Sequence, residues 1–182
     1  MIDWNNKKVL VTGGASFIGS HLCEQLVQRG AKVRIAENFS SGERAHLVHF
    51  ECETLEGDLL DPSFCDQATK GMEVVFHLAA DHGGRGYIDT HPVECSTNMI
   101  LDGQVFRYAH HNGAERIVFA SSGCVYPTSA QMDVTKEVFL YEDIIACKDR
   151  DDKRLVSIFR KDRKGCCGPC QDKFGTKFSS LP

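Results

Sequence analysis

Val9-Leu10-Val11-Thr12-Gly13-Gly14-Ala15-Ser16-Phe17-Ile18-Gly19-Ser20-His21-Leu22 is the stretch whose reading decides the fold. Residues 9–12 are a short run of apolar and β-branched side chains, read as a strand covered on both faces. Small residues follow, and from Phe17 onward the pattern turns helical. A strand that runs through a glycine-rich turn straight into a helix is the context in which such a turn binds a dinucleotide. The small residues let the backbone approach a pyrophosphate, and the helix N-terminus meets it with unpaired N–H groups and the positive end of its dipole. Gly13, Gly14, Ser16, Phe17, Ile18 and Gly19 are therefore the expected phosphate-side residues. The plainer alternative is a tight turn that serves only close packing.

Outward from this unit, β-branched runs alternate with longer amphipathic stretches. Strands are expected at 9–12, 32–36, 53–56, 74–78 and 116–120, and helices at 17–29, 43–50, 62–69 and 92–112, with Asn112-Gly113 stopping the last. Strand–helix alternation of this kind implies an α/β fold, a Rossmann-type doubly wound parallel sheet. Glu37 stands at the end of the second strand, followed by Asn38. An acid there accepts hydrogen bonds from adenosine ribose hydroxyls and repels a 2′-phosphate, which favours NAD over NADP. Arg44 lies close enough in sequence to serve a 2′-phosphate instead. Asp58, beside Leu59 after the third strand, reads either as a contact to the adenine edge or as the cap of the next helix.

Composition bounds the rest. The 182 residues are 42% hydrophobic and 25% charged, as in an ordinary globular protein. No apolar run approaches the ~18 residues of a membrane span, and the first residues lack a signal peptide's apolar core, so the expected compartment is the cytoplasm. The nine cysteines are an odd number scattered through core-like segments, and are expected to be reduced and mostly buried. The net charge of −4 conceals two unlike stretches: residues 1–147 hold 11 Lys and Arg against 20 Asp and Glu, residues 148–182 hold 10 against 5. The first is the expected dinucleotide-binding domain. The second, with neither helix nor strand period, is expected to be an irregular basic tail; it carries no nucleic-acid motif, and neither a nucleic-acid nor a membrane partner is expected. Cys167-Gly168-Pro169-Cys170 spells a dithiol tetrapeptide, but without the strand–helix setting that chemistry needs. No metal site is expected.

Taken together, residues 12–21, Glu37-Asn38, Gly57-Asp58-Leu59, His77-Leu78-Ala79-Ala80, Asn98 and Ala120-Ser121-Ser122-Gly123-Cys124-Val125-Tyr126-Pro127 resemble the extended short-chain dehydrogenase/reductase family, the NAD-dependent epimerases and dehydratases of nucleotide sugars. The likeness runs from about Lys8 to Asp143. Residues 79–88 give it the look of the GDP-mannose 3,5-epimerase branch. The resemblance implies NAD as cofactor and a GDP-mannose-like nucleotide sugar as substrate. It implies transient removal of hydride from the sugar, epimerisation beside the resulting ketone, and return of the hydride. It also places Leu78, Ala79, Ala80 and Asn98 with Glu37, Asn38, Asp58 and Leu59 around the cofactor. Asn98 is expected on a buried helical stripe with Leu101 and Val105. Ser16 departs from the pattern, for the family carries glycine there; the added Cβ raises an expectation of strain in the loop or weakened NAD affinity.

By the same resemblance Ser122 is the hydroxyl that meets the reacting sugar oxygen, against the alternative of a loop serine at a strand end. Cys124 falls at the position of an acid/base cysteine, against that of a buried structural thiol. The run Gly83-Gly84-Arg85-Gly86 reads as a flexible loop, with Gly84 and Arg85 offered to a sugar or diphosphate, or as a plain surface turn. The family's tyrosine followed four residues later by lysine is missing: His91, Asn112, Ala130 and Ile145 follow Tyr87, Tyr108, Tyr126 and Tyr141 at that spacing. The expectation is a chain lacking the family's substrate domain, its tail a frame-shifted or alternatively spliced terminus. The coding sequence around Cys147 tests this. Apolar surface left at the sheet edge would favour association, a homodimer being the simplest form. A non-catalytic NAD-binding module acting through partners is the rival reading.

Overall fold

The computed structural model of the chain describes residues 3–83, 85–120 and 177–180. Strands β1 (Lys8–Thr12), β2 (Lys32–Glu37), β3 (Glu53–Glu56), β4 (Val74–His77), β5 (Arg116–Phe119) and β6 (Lys177–Ser180) form one sheet in the order β3-β2-β1-β4-β5-β6. Every pairing is parallel. This is the Rossmann order, in which the chain winds outward from β1 in one direction and then, from β4, in the other. The reversal falls between β1 and β4, so the crevice outside their carboxyl ends is where this fold receives a ligand.

Helices α1 (Phe17–Gln28), α2 (Pro62–Thr69), α3 (Arg85–Thr90), α4 (Pro92–Ser96) and α5 (Asn98–His111) complete the described residues. The alternation of β1 side chains sorts the core into two layers. Val9 and Val11 face Cys23 and Leu26 of α1, together with Val33, Ile35, Val74, Phe76 and Val118. Leu10 faces the opposite way, toward Cys65 and Ala68 of α2 and Leu101, Val105 and Ala109 of α5, with Val75 and Ile117. A sheet covered on both faces explains why its central strands are almost continuously apolar. Each fully buried Leu, Ile or Val adds roughly 1.5–3 kcal/mol relative to exposure.

Five strands and the helices at 17–29 and 62–69 lie within a residue of the sequence expectation. Four segments differ. Where a helix over 43–50 is expected, only a 3-10 turn forms, Arg44–Leu47, because this segment is tied back to Ala15: Glu43 N–H and His46 Nδ1 both donate to the Ala15 carbonyl, at 3.1 and 2.8 Å. The single helix expected over 92–112 is interrupted at Thr97. There Ser96 and Thr97 hydroxyls donate to the carbonyls of Val93 and Glu94, at 2.7 and 2.6 Å, which is how such side chains disturb a helix. The flexible loop expected at 83–86 gives way to α3, which begins at Arg85. Finally, Lys177–Ser180 lies in the stretch expected to be irregular, yet it pairs with β5 as β6. The rest of 148–182 is outside the described residues.

Among the described residues no helix is long and apolar enough to cross a membrane. Cys23, Cys52, Cys65 and Cys95 are free thiols; Cys23 and Cys65 are buried as expected, Cys52 and Cys95 only partly so.

Candidate functional site

The carboxyl ends of β1, β2 and β4 converge at the switch point. Gly13, at φ 70°, opens the turn after β1, and a Cβ on it would lie 2.9 Å from the Ala79 nitrogen at the end of β4. Gly19 sits in the first turn of α1, where a Cβ would overlap the Gly13 carbonyl oxygen. Both glycines are thus required by the protein's own backbone packing, so the packing alternative describes part of the motif. It leaves the helix end unexplained. Phe17 and Ile18 are 73% and 66% exposed, and their N–H groups find no partner among the described residues. Two such donors at the N-terminus of a twelve-residue helix fit a pyrophosphate.

Ser16 corrects one expectation. Its φ of −73° and ψ of 170° are ordinary extended values that need no glycine, so its Cβ strains nothing. Its hydroxyl donates to the Gly13 carbonyl at 2.7 Å and accepts the Gly19 N–H at 3.1 Å, making it the N-cap of α1.

Glu37, at the end of β2, is buried, and its carboxylate is turned onto the glycine loop. One oxygen accepts the Ala15 N–H at 3.1 Å; the other accepts those of Asn38 and Phe39, at 3.1 and 3.2 Å. Because Ala15 is held at its N–H by Glu37 and at its carbonyl by Glu43 and His46, the segment after β2 clasps the turn after β1 from both sides. The sequence offered no sign of the His46 contact. Asn38 uses its side-chain oxygen on the Ser40 N–H at 3.0 Å. Phe39 takes a left-handed φ of 56°, costing on the order of 1–3 kcal/mol for a non-glycine residue. The guanidinium of Arg44 covers its ring at 3.9 Å and pairs with Glu56 at 2.6 Å. Arg44 is therefore already engaged on a carboxylate and a ring, which supports the choice of NAD.

Asp58 is exposed and its carboxylate accepts the Leu60 N–H at 2.9 Å. The cap of α2 is Asp61 instead, accepting from the Ser63 N–H at 2.8 Å, so the capping alternative for Asp58 does not hold. The Leu59 side chain is in the core and its carbonyl accepts from Gln104, which leaves only backbone for any contact with a ligand.

At the end of β4, Leu78 and Ala79 turn their N–H groups to the Thr12 hydroxyl, each at 3.1 Å, and Ala80 is exposed. Asn98 is half-buried and pairs with the Asp81 backbone in both directions, accepting its N–H and donating to its carbonyl at 2.7 Å each. Leu101 and Val105 share its stripe and are buried, as expected. Tyr87, stacked on His91 at 4.1 Å, donates to the Asp81 carboxylate at 3.0 Å. That bond raises the phenol's pKa, the opposite of what a base requires. Burial pushes the thiols of Cys23 and Cys65 up to about 12, so neither is a nucleophile. Ser122, Cys124 and Gly84 lie outside the described residues, and Arg85 is placed only as the first residue of α3. Among the described residues no group of three or more His, Cys, Asp or Glu could hold a metal ion.

A glycine turn between β1 and a helix, an acid closing β2 and a parallel sheet with its switch point between β1 and β4 define a dinucleotide-binding domain. Residues 9–146 match the model of the NAD dependent epimerase/dehydratase family, and the chain belongs to that family. It is 35% identical over 131 residues to GDP-mannose 3,5-epimerase of Arabidopsis thaliana, a match covering 71% of this chain and 34% of the plant enzyme. Among solved structures, an epimerase from Methanothermobacter thermautotrophicus superposes with a TM-score of 0.68 at 33% identity, over 79% of this chain and 42% of that one. The UDP-glucose 4-epimerase of Brucella ovis, solved in complex with NAD, gives a TM-score of 0.61 at 26% identity, over 66% of this chain and 37% of that one. The chain spans about a third of the length of the curated relatives it matches.

Proposed function

We propose that this chain binds NAD across the carboxyl edge of its sheet and forms the cofactor-binding portion of a nucleotide-sugar epimerase or dehydratase. The observation that carries the reading is the N-terminus of α1, two N–H groups without a partner among the described residues beside a glycine turn, with the buried carboxylate of Glu37 one strand away. The α1 N-terminus would hold the pyrophosphate. Glu37 keeps one lone pair, on the oxygen that accepts the Ala15 N–H, for a ribose hydroxyl, while its charge disfavours a 2′-phosphate. Leu78, Ala79 and Ala80 line the β4 side of the crevice, with Asn98 fixing the loop behind them. Asp58 and the backbone of Leu59 face the adenine end.

When bound, NAD supplies a reversible hydride acceptor for a sugar carbinol. The chain's own part is then to orient the sugar and move protons. Ser122, soon after β5, is the hydroxyl assigned to the reacting oxygen, and Cys124 the thiol assigned to the C–H beside the ketone. Gly84 and Arg85 are assigned to the sugar nucleotide, of which GDP-mannose is the first to try. Four free thiols among the described residues suit a reducing compartment such as the cytoplasm.

Titrating the 182-residue chain with NAD by calorimetry tests the reading. Saturable binding is expected, weaker for NADP, with the Kd for NAD raised about 10- to 100-fold in Glu37→Ala through the loss of hydrogen bonds to a charged acceptor. No binding at millimolar NAD overturns it. A second reading, a non-catalytic NAD-binding module, is favoured by the lack of any tyrosine followed four residues later by lysine within these residues. Incubation with NAD and GDP-mannose separates the two: epimerised product supports the enzyme, binding without turnover the module.

A further inference from the structure

His77 is fully buried at the end of β4, opposite Thr12 in the register of β1 and β4. Its Nδ1 lies 2.7 Å from the Thr12 hydroxyl and its Nε2 3.0 Å from a carboxylate oxygen of Asp102 on α5. Carboxylate, imidazole and hydroxyl in that order have the look of a nucleophilic triad, but the hydroxyl is committed. Thr12 Oγ1 accepts the N–H groups of both Leu78 and Ala79, which uses its two lone pairs. All it has left to give is its hydrogen, and among the described residues the only acceptor facing it is Nδ1. Nδ1 must therefore carry the lone pair, and Nε2 the proton that it donates to Asp102. The bonds fix one neutral tautomer and one direction of donation, from Thr12 to His77 to Asp102. The rings of Phe106 and Phe119 pack beside the imidazole, at 5.8 and 5.9 Å.

This chain of bonds ends at the crevice. The residues whose N–H groups it gathers, Leu78 and Ala79, are those against which Gly13 packs with no room for a Cβ. The relay therefore sets the distance between the turn after β1 and the turn after β4, the two walls between which the dinucleotide is read to lie. Asp102 is also one helical turn beyond Asn98, which grips Asp81. A single face of α5 thus holds both ends of the segment from His77 to Asp81.

We infer that Thr12, His77 and Asp102 act as a tautomer-locked relay that positions the backbone of Leu78 and Ala79 for NAD, making His77 a positioning residue. The inference rests on the NAD reading above. Its test compares NAD affinity of the full chain with that of Thr12→Val, which keeps shape but removes the hydroxyl, and Thr12→Ser, which keeps the hydroxyl. Urea unfolding confirms that each variant is folded. The expected result is a Kd raised about tenfold or more in Thr12→Val, as the Ala79 N–H loses its acceptor and that of Leu78 keeps only the Thr12 carbonyl at 3.3 Å, and restored to within about twofold in Thr12→Ser. If Thr12→Val does not fold, His77→Gln, which keeps a donor toward Asp102 and drops the acceptor for Thr12, takes its place with the same expectation. Nitrogen-15 NMR of wild-type His77 should show Nδ1 bare and Nε2 protonated. A folded Thr12→Val or His77→Gln that binds NAD like the wild type, or the opposite tautomer, overturns the relay while leaving the NAD reading intact. A wild-type chain that binds no NAD overturns both.

Discussion

At residue 16 the chain carries a serine in place of the family's glycine, and the turn profits from it. The hydroxyl closes the loop internally, from the Gly13 carbonyl to the Gly19 N–H, while the backbone stays extended. Ser16→Ala should therefore lower the free energy of unfolding by about 0.5–2 kcal/mol, and Ser16→Gly by only a few tenths, read as urea midpoints. Equal losses in both variants would show that the hydroxyl caps nothing. The position of Ser16 in the motif was readable in the sequence, but the sign of its effect was not, because that depends on φ. The same holds for Glu37. An acid closing the second strand was legible, whereas its bond to Ala15 in the turn, beside those to its own loop at Asn38 and Phe39, depends on how the loop after β2 folds back through Glu43 and His46.

Elements whose limits follow from local chemistry were legible to within a residue; those shaped by distant contacts were not. Pro62 opens α2 and Asn112-Gly113 ends α5, and both limits agree with the sequence. By contrast α3 occupies a glycine-rich stretch that reads as a loop. It is held from outside, by the Tyr87 hydroxyl on Asp81 and the stacking of Tyr87 on His91. The break at Thr97 places Asn98 at the start of α5, where its amide meets the Asp81 backbone. Asn98→Asp keeps an acceptor for the Asp81 N–H but sets a carboxylate against the Asp81 carbonyl. Amide hydrogen exchange should then speed up about tenfold or more at Asp81 and its neighbours, while Leu10 and Ile117, in the core strands, exchange as before. Uniform acceleration across the sheet would mean that Asn98 supports the whole fold rather than this loop.

For the molecule as a whole, the two ends of the sheet are built for different tasks. The parallel order was legible because strand and helix periods alternate up to β5, and β6 was not because residues 148–182 show no period at all. The carboxyl edge holds the candidate site. At the amino edge Lys7, just before β1, reaches Glu73 before β4 at 2.7 Å and Glu115 before β5 at 2.9 Å, clamping three strands roughly 16 Å from the site, at ~3.3 Å per strand residue. The hydrogen bond to Glu73, then that to Glu115, raises the Lys7 pKa above its ordinary 10.5, and the bond from Lys7 lowers that of Glu73 below its ordinary 4.5. A depressed carboxyl contributes stability that is complete above the unfolded value and is lost as pH falls through the folded one. A raised ammonium contributes stability that is complete below its unfolded value and is lost as pH rises through the folded one. The difference in urea midpoint between the wild type and Lys7→Met should therefore be flat between the two ordinary values. It should shrink below pH 4.5 and again above pH 10.5, and it should diminish with salt because the groups are partly exposed. Across that plateau Lys7→Met should leave the Kd for NAD unchanged, since the clamp touches none of the residues at the carboxyl edge. A parallel loss of NAD affinity would show instead that strand spacing at one end of the sheet governs the crevice at the other.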